Sequence, residues 1–257
     1  MTGRVRRVLA LSAIAMLPLT ACAARQEPTT PITVYAASSL IKAFTAIGKD
    51  FQEANPGYSV EFVFASSADL SSALVGGSHA DVFASGDRAH MAAVTDAGDA
   101  SGTPEPFAAN RLVVVAQAGN PKHLVSFADL AQPDVKVAVC AEQGACGMAT
   151  RGVQTQSGVH LRPATTQATP TRVLSEVTSG RADAGVVFMT DALVAGNDVS
   201  WFVVPGDAGS VSSWITVLSG TAQSREAAAF VQQVTDAGGR KILADDGFSE
   251  PLRGSAG

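Results

Sequence analysis

The chain has little with which to attract a polyanion or hold a metal ion. Only 16% of its 257 residues are charged, and the formal net charge is −5. Three of the basic residues, Arg4, Arg6 and Arg7, precede Val8; without residues 1–21 the balance becomes 15 basic against 23 acidic residues, or about −8. Such an acidic chain argues against nucleic acid as a partner. The four histidines, His79, His90, His123 and His160, are scattered without the spacing of a zinc site. A Gly-rich phosphate loop with its lysine is missing. Asp81, Asp87 and Asp183 form neither an acid–base pair nor a motif with a histidine, so no catalytic constellation stands out. Repeats of solenoid length are also missing.

What is present begins with the N-terminus. The arginines lead into the apolar run Val8–Leu19, which has the layout of an export signal and is short for a membrane span. It ends in Leu19-Thr-Ala-Cys22, which resembles the bacterial lipobox, in which the cysteine becomes the first mature residue and carries lipid. The expectation is a signal peptide over 1–21, lipidation at Cys22 and a polar tether over 22–31. The Arg6-Arg7 pair leaves Sec and twin-arginine export both open. Outside the membrane the compartment is oxidising, and the remaining cysteines share one segment, Cys140-Ala-Glu-Gln-Gly-Ala-Cys146, so a Cys140–Cys146 disulfide is expected there. Closing so short a loop contributes roughly 2 kcal/mol on the chain-entropy argument.

From Ile32 the pattern alternates. Residues 32–37, ITVYAA, read as a buried strand, and Leu40, Phe44, Ile47 and Phe51 then recur at helical spacing until Asn55-Pro-Gly57. VEFVFA over 60–65 begins a second strand–helix unit, and ADVFAS over 80–85 is a third strand. Later strands are read over 111–117, 136–140, 182–189 and 214–218, with helices around Val173–Val177 and over 224–235. Alternation of this kind predicts an α/β fold with mainly parallel sheets flanked by helices. The first and last thirds read as one lobe (32–112 with 217–257) and the middle as the other (113–216), joined by two hinge crossings around a cleft.

Two serine pairs, Ser38-Ser39 and Ser66-Ser67, sit where a strand ends and a helix begins. That edge of a parallel sheet is where ligands bind, and a helix N-terminus presents unpaired N–H groups and partial positive charge. Serine is also a common N-cap. Doubling reconciles the two roles, because one serine can cap while the other faces a ligand. An acidic protein does not steer anions from afar, so affinity for one must come from local dipoles. Charge-assisted hydrogen bonds contribute about 1.5 to 3 kcal/mol each. Nanomolar binding needs about 12 kcal/mol, so roughly six or seven donors suffice.

VYAASSL, then FASSADL with HADVFASGD over 79–87 close behind, ADAGVVFMTD over 182–191 and the closing GFSEP together resemble the periplasmic molybdate-binding proteins of ABC importers, over nearly all of the chain after the tether. The resemblance implies a type II periplasmic-binding-protein fold and a lone oxyanion, molybdate or tungstate, held in the interlobe cleft. It implies no catalysis and no cofactor, a monomer, and delivery to an ABC permease and its ATPase. Carried across residue by residue, it points to Ser39 and Ser67, the backbone N–H of Cys146 in Ala145-Cys-Gly147, and that of Thr171 in Pro170-Thr-Arg172. Where the family commonly has a tyrosine hydroxyl on the oxyanion, in a segment like G-I-V-Y, this chain has Gly185-Val-Val-Phe188. Phe188 supplies no donor, and Thr171 and Thr190 are candidates to replace it.

Two other readings compete. One is a protein for another tetrahedral oxyanion such as sulfate. The other is a serine acyl-enzyme, because Ser39-Leu-Ile-Lys42 matches Ser-x-x-Lys; its companion motifs, Ser-Asp-Asn and Lys-Thr-Gly, occur nowhere in the chain.

Overall fold

In a computed structural model, residues 31–251 are described; the expected signal peptide, Cys22 and the tether up to Thr30 lie outside them. Nine strands are present among them: β1 Ile32–Ala37, β2 Val60–Ala65, β3 Val82–Ser85, β4 Glu105–Gln117, β5 Val137–Cys140, β6 Thr165–Gln167, β7 Ala184–Phe188, β8 Val199–Val203 and β9 Ser210–Val217. Eight α-helices pack around them: α1 Ile41–Ala54, α2 Ser67–Val75, α3 Arg88–Asp96, α4 Ala145–Ser157, α5 Pro170–Thr178, α6 Met189–Ala195, α7 Ser224–Thr235 and α8 Ala237–Asp245. Among the described residues, none of these helices is long and apolar enough to cross a membrane.

The strand order is β2-β1-β3-β9-β4-β7-β5-β6, with β8 also paired to β4. At each end the pairing is parallel, β1 with β2 and β3, and β5 with β6 and β7. In the middle it is antiparallel, because β4 and β9 run in opposite directions across the junction. β4 does two jobs in succession. Residues 105–111 pair with β9, and residues 112–117 pair with β7 and β8. β9 then pairs with β3 through Trp214–Val217.

Hydrophobic burial divides at the same place. One core gathers Ile32, Val34, Phe44, Phe51, Phe107, Ile215 and Phe230 around β1 and α1, with Leu70, Phe83, Met91 and Val94 on the far side of that sheet. The other gathers Leu112–Val115, Val137, Val173, Val177 and Val186 around β4, β5 and β7. The helical spacing of Leu40, Phe44, Ile47 and Phe51 is what buries α1, since each of the four is at most 1% exposed. Both chain crossings between the cores are therefore neighbouring strands, β4 and β9. The cleft opens beside them, at the ends of β1, β3, β5 and β7, where helices begin.

Candidate functional site

A cleft of about 500 Å³ lies between the two cores. Ser39, Ser67, Cys146, Thr171 and Phe188 all line it, together with Gly86, His90, Asn110, Asp191 and Ser213. No lysine or arginine is among the lining residues. Positive potential comes instead from helix starts, because the first turns of α2, α4 and α5 and the turn before α1 all border the cleft.

The two serine pairs are used differently. In the second pair Ser66 is the cap of α2: its hydroxyl oxygen accepts the N–H of Asp69 at 3.1 Å and its O–H donates to the Asp69 carboxylate at 2.6 Å. Ser67 is left to the cleft. Its Oγ accepts the N–H of Gly86 at 2.9 Å, which engages a lone pair and leaves the O–H free to donate. In the first pair neither serine caps. The chain enters a single 3₁₀ turn, Ser38–Leu40, whose cap position is Ala37 and which no side chain caps. The expectation of one cap per pair thus holds for α2 only.

Gly86 fixes how close the hydroxyls come. A Cβ on this residue would lie 3.4 Å from Ser67 Oγ and 3.9 Å from Ser39 Oγ, so the two oxygens are no more than about 7 Å apart. Two hydrogen bonds of about 2.8 Å, one on either side of a small tetrahedral ion, span such a gap.

From the opposite side come backbone donors. α5 starts at Pro170, which has no N–H, while Arg172 and Val173 both donate to Thr169 O at 3.1 Å, and the Thr169 hydroxyl also accepts from Arg172 at 3.3 Å. In that first turn the N–H left over is that of Thr171. α4 starts after Gly144, which has no capping side chain, and its first intrahelical bond runs from Met148 N to Gly144 O. The N–H groups of Ala145 and Cys146 consequently have no intrahelical partner. Cys146 is joined to Cys140 by a disulfide that ties the start of α4 to the end of β5. Gly147 lets this turn close, because a Cβ there would lie 2.0 Å from Ala141 O. With the Ala68 N–H at the start of α2, the Ser39 and Ser67 hydroxyls and the amides of Ala68, Ala145, Cys146 and Thr171 make six candidate donors on the cleft wall.

Phe188 is 6% exposed and precedes α6. Of its suggested substitutes, Thr171 lines the cleft, whereas Thr190 does not: it is buried, and its hydroxyl accepts from Asn110 Nδ2 at 2.9 Å. Lys42 does not line the cleft either. Its ammonium is paired with Asp246 beyond α8, which leaves the Ser-x-x-Lys reading of Ser39 without its base. Among the described residues no group of three or more histidine, cysteine, aspartate or glutamate side chains is placed to hold a metal ion.

Sequence reasoning missed Gly86, His90 and Asn110. Asn110 had a signal, as an amide that interrupts the apolar residues of β4; its Oδ1 accepts from Arg111 N at 2.9 Å. Asp191 closes one of the family-like segments but carries no signal of its own. Its carboxylate lines the cleft and accepts from Phe188 N at 3.3 Å. Burial raises its pKa to about 7 against the opposing pull of the Phe188 and Asp191 N–H groups. Since the folded value lies above the unfolded one, the folded state holds the extra proton, and stability falls as pH rises from about 4 through about 7. Asp191→Asn should flatten that part of the Tm–pH profile, which thermal unfolding between pH 4 and pH 8 will show.

The fold and this donor-lined cleft define a ligand-binding protein. Residues 32–249 match the family described as bacterial extracellular solute-binding protein, and the chain belongs to that family. More particularly, it is 43% identical over 251 residues to the molybdate-binding protein ModA of Mycobacterium tuberculosis and to that of Mycobacterium bovis, an alignment covering 94% of this chain and 96% of each relative. Among solved structures it is similar to the periplasmic molybdate-binding protein of Azotobacter vinelandii, with a TM-score of 0.73 at 20% identity, covering 86% of this chain and 100% of that one. The sulfate-binding protein SubI of M. tuberculosis superposes at a TM-score of 0.72, also at 20% identity, covering 87% of this chain and 88% of that one. Likenesses at that identity establish the type II periplasmic-binding-protein fold and leave the ligand to the site.

Proposed function

We propose that the protein captures molybdate, with tungstate as an equivalent ligand, and performs no chemistry on it. The observation that carries this reading is the convergence of Ser39, Ser67 and the N–H groups of Cys146 and Thr171 on one cleft that has no lysine or arginine in its wall. Donors alone suit a fully ionised tetrahedral oxyanion; a protonated ion such as phosphate needs an acceptor as well. Two carboxylates line the cleft and each is engaged, Asp191 by the N–H of Phe188 and Asp69 by the Ser66 hydroxyl. The ModA relatives support the choice of ion over sulfate.

Capture would be followed by closure of two lobes, 32–112 with 217–257 and 113–216, about β4 and β9. The closed monomer would then be presented to an ABC permease and its ATPase at the outer face of the membrane. Lipidation at Cys22 would keep it there, since two or more acyl chains at about 0.8 kcal/mol per buried methylene anchor firmly. Cys22→Ala should release the protein into the soluble extract on fractionation, and unchanged membrane retention would remove the anchor from the account. Calorimetry with molybdate, tungstate, sulfate and phosphate tests the ligand. Tight binding of the first two with far weaker binding of the others is expected; preference for sulfate would favour the other oxyanion reading.

A further inference from the structure

His90 lines the cleft in a state set by its neighbour. Asp87 caps α3, is 3% exposed, and accepts the His90 N–H at 2.9 Å. Its two carboxylate oxygens also lie 2.9 and 2.7 Å from His90 Nδ1. A carboxylate only accepts, so Nδ1 must carry a hydrogen. In the neutral ring that tautomer leaves Nε2 as a bare acceptor, which an oxyanion cannot approach; in the imidazolium Nε2 becomes a charged donor. The His90 side chain is 19% exposed, and the residue is part of the cleft wall.

Few other titratable groups lie around the ring. Of the elements packed on α3, α2 contributes one titratable side chain, Asp69, and β3 and β9 contribute none. On or beside α3 are Asp87, Arg88 and Asp96, with the Arg88 guanidinium 5.6 Å from the Trp214 ring centre. Elsewhere on the cleft wall is Asp191. His90 is therefore the one lining side chain able to become a cation. Resting on the oxyanion reading above, we propose that His90 is an affinity-determining contact that binds the anion only as its imidazolium, so that capture takes up a proton from solvent onto Nε2. The buried Asp87 holds the ring in place and balances its charge.

Linkage gives the sign. Bound anion favours protonated His90, so affinity falls as pH rises, by at most about tenfold per pH unit. The test is calorimetry of the full folded protein with sodium molybdate from pH 6 to pH 9, in buffers of differing ionisation heat, on wild type, His90→Gln and Asp191→Asn. Ring-proton NMR of wild type against His90→Gln identifies the His90 signal. Expected are proton uptake in wild type and in Asp191→Asn, a flat profile in His90→Gln with affinity about tenfold or more below wild type at pH 6, and a shift of the His90 signal to the imidazolium position when molybdate is added at pH 7.5. A pH-independent wild-type affinity overturns the proposal, as does a slope that survives in His90→Gln and vanishes in Asp191→Asn. No molybdate binding at any pH would instead overturn the functional reading on which it rests.

Discussion

Replacing Ser39 and Ser67 together by alanine should lower molybdate affinity by about two to four orders of magnitude. Each hydroxyl is assigned one charge-assisted hydrogen bond to a dianion, at about 1.5 to 3 kcal/mol apiece, and about 1.4 kcal/mol is tenfold in affinity. The single variants should differ in a way that tests the assignment. No side-chain cap holds the 3₁₀ turn that carries Ser39, so Ser39→Ala is expected to weaken binding with Tm unchanged. Ser67 also accepts the Gly86 N–H at 2.9 Å, and Ser67→Ala leaves that donor unpaired. It should therefore cost affinity and, in addition, about 1 to 3 kcal/mol of stability. Calorimetry and thermal unfolding of the three variants read both effects. A double variant that binds within threefold of wild type would remove the hydroxyls from the site.

Gly147→Ala should have the largest effect on the fold near the cleft. Its Cβ would stand 2.0 Å from Ala141 O, a backbone atom that no rotamer change can move aside. Relief requires the start of α4 to shift away from the loop closed by the Cys140–Cys146 disulfide, and that start carries the Cys146 N–H. We expect a loss of about 3 kcal/mol, the upper end for overpacking, seen as a Tm lower by about 6 to 12 °C, with molybdate affinity down more than tenfold. Gly144→Ala is the control. Its nearest heavy neighbour would be 3.8 Å away and its φ is −98°, so alanine fits there without strain. If Gly147→Ala melts and binds like Gly144→Ala, the close packing of that turn is not what positions the amide.

Much of the architecture was legible because periodicity and packing agree. The strands over 32–37 and 60–65 and the helix over 224–235 fall where alternation and helical spacing put them, and Leu40, Phe44, Ile47 and Phe51 form the buried stripe their spacing predicts. The apolar pattern starts β4 at residue 111, whereas the strand starts at Glu105. Pro106 hides the difference: it cannot donate to a ladder, and the register shifts between Pro106 and Ala108. The antiparallel centre was not legible either, because nothing in the composition of β4 or β9 states which way a crossing strand runs. β6 is three residues long and carries no apolar pattern, Thr165–Gln167, so it offered no signal.

At the site, residue type was visible and hydrogen-bond allocation was not. The serine pairs marked the helix starts, but which hydroxyl is consumed by a cap depends on whether the chain enters an α-helix, as at Ser66, or a 3₁₀ turn, as at Ser38. The individual amides of Cys146 and Thr171 were nominated through the family resemblance, since an N–H has no residue signature of its own. Pro170 explains the second in hindsight, by leaving Thr171 as the unpaired donor of that turn. His90 looked like one scattered histidine among four. Only folding seats it on the cleft wall, and its bond to Asp87, three residues earlier, gives it a defined tautomer there.

The most direct measurement is a crystal structure of the protein soaked with molybdate, with the metal located by its anomalous scattering. One strong peak is expected in the cleft, its oxygens within hydrogen-bond distance of Ser39 Oγ, Ser67 Oγ, Cys146 N and Thr171 N, with no lysine or arginine side chain in contact. A peak seated on surface cations, or an empty cleft in a protein saturated with the ion, would contradict capture by the donors of this cleft.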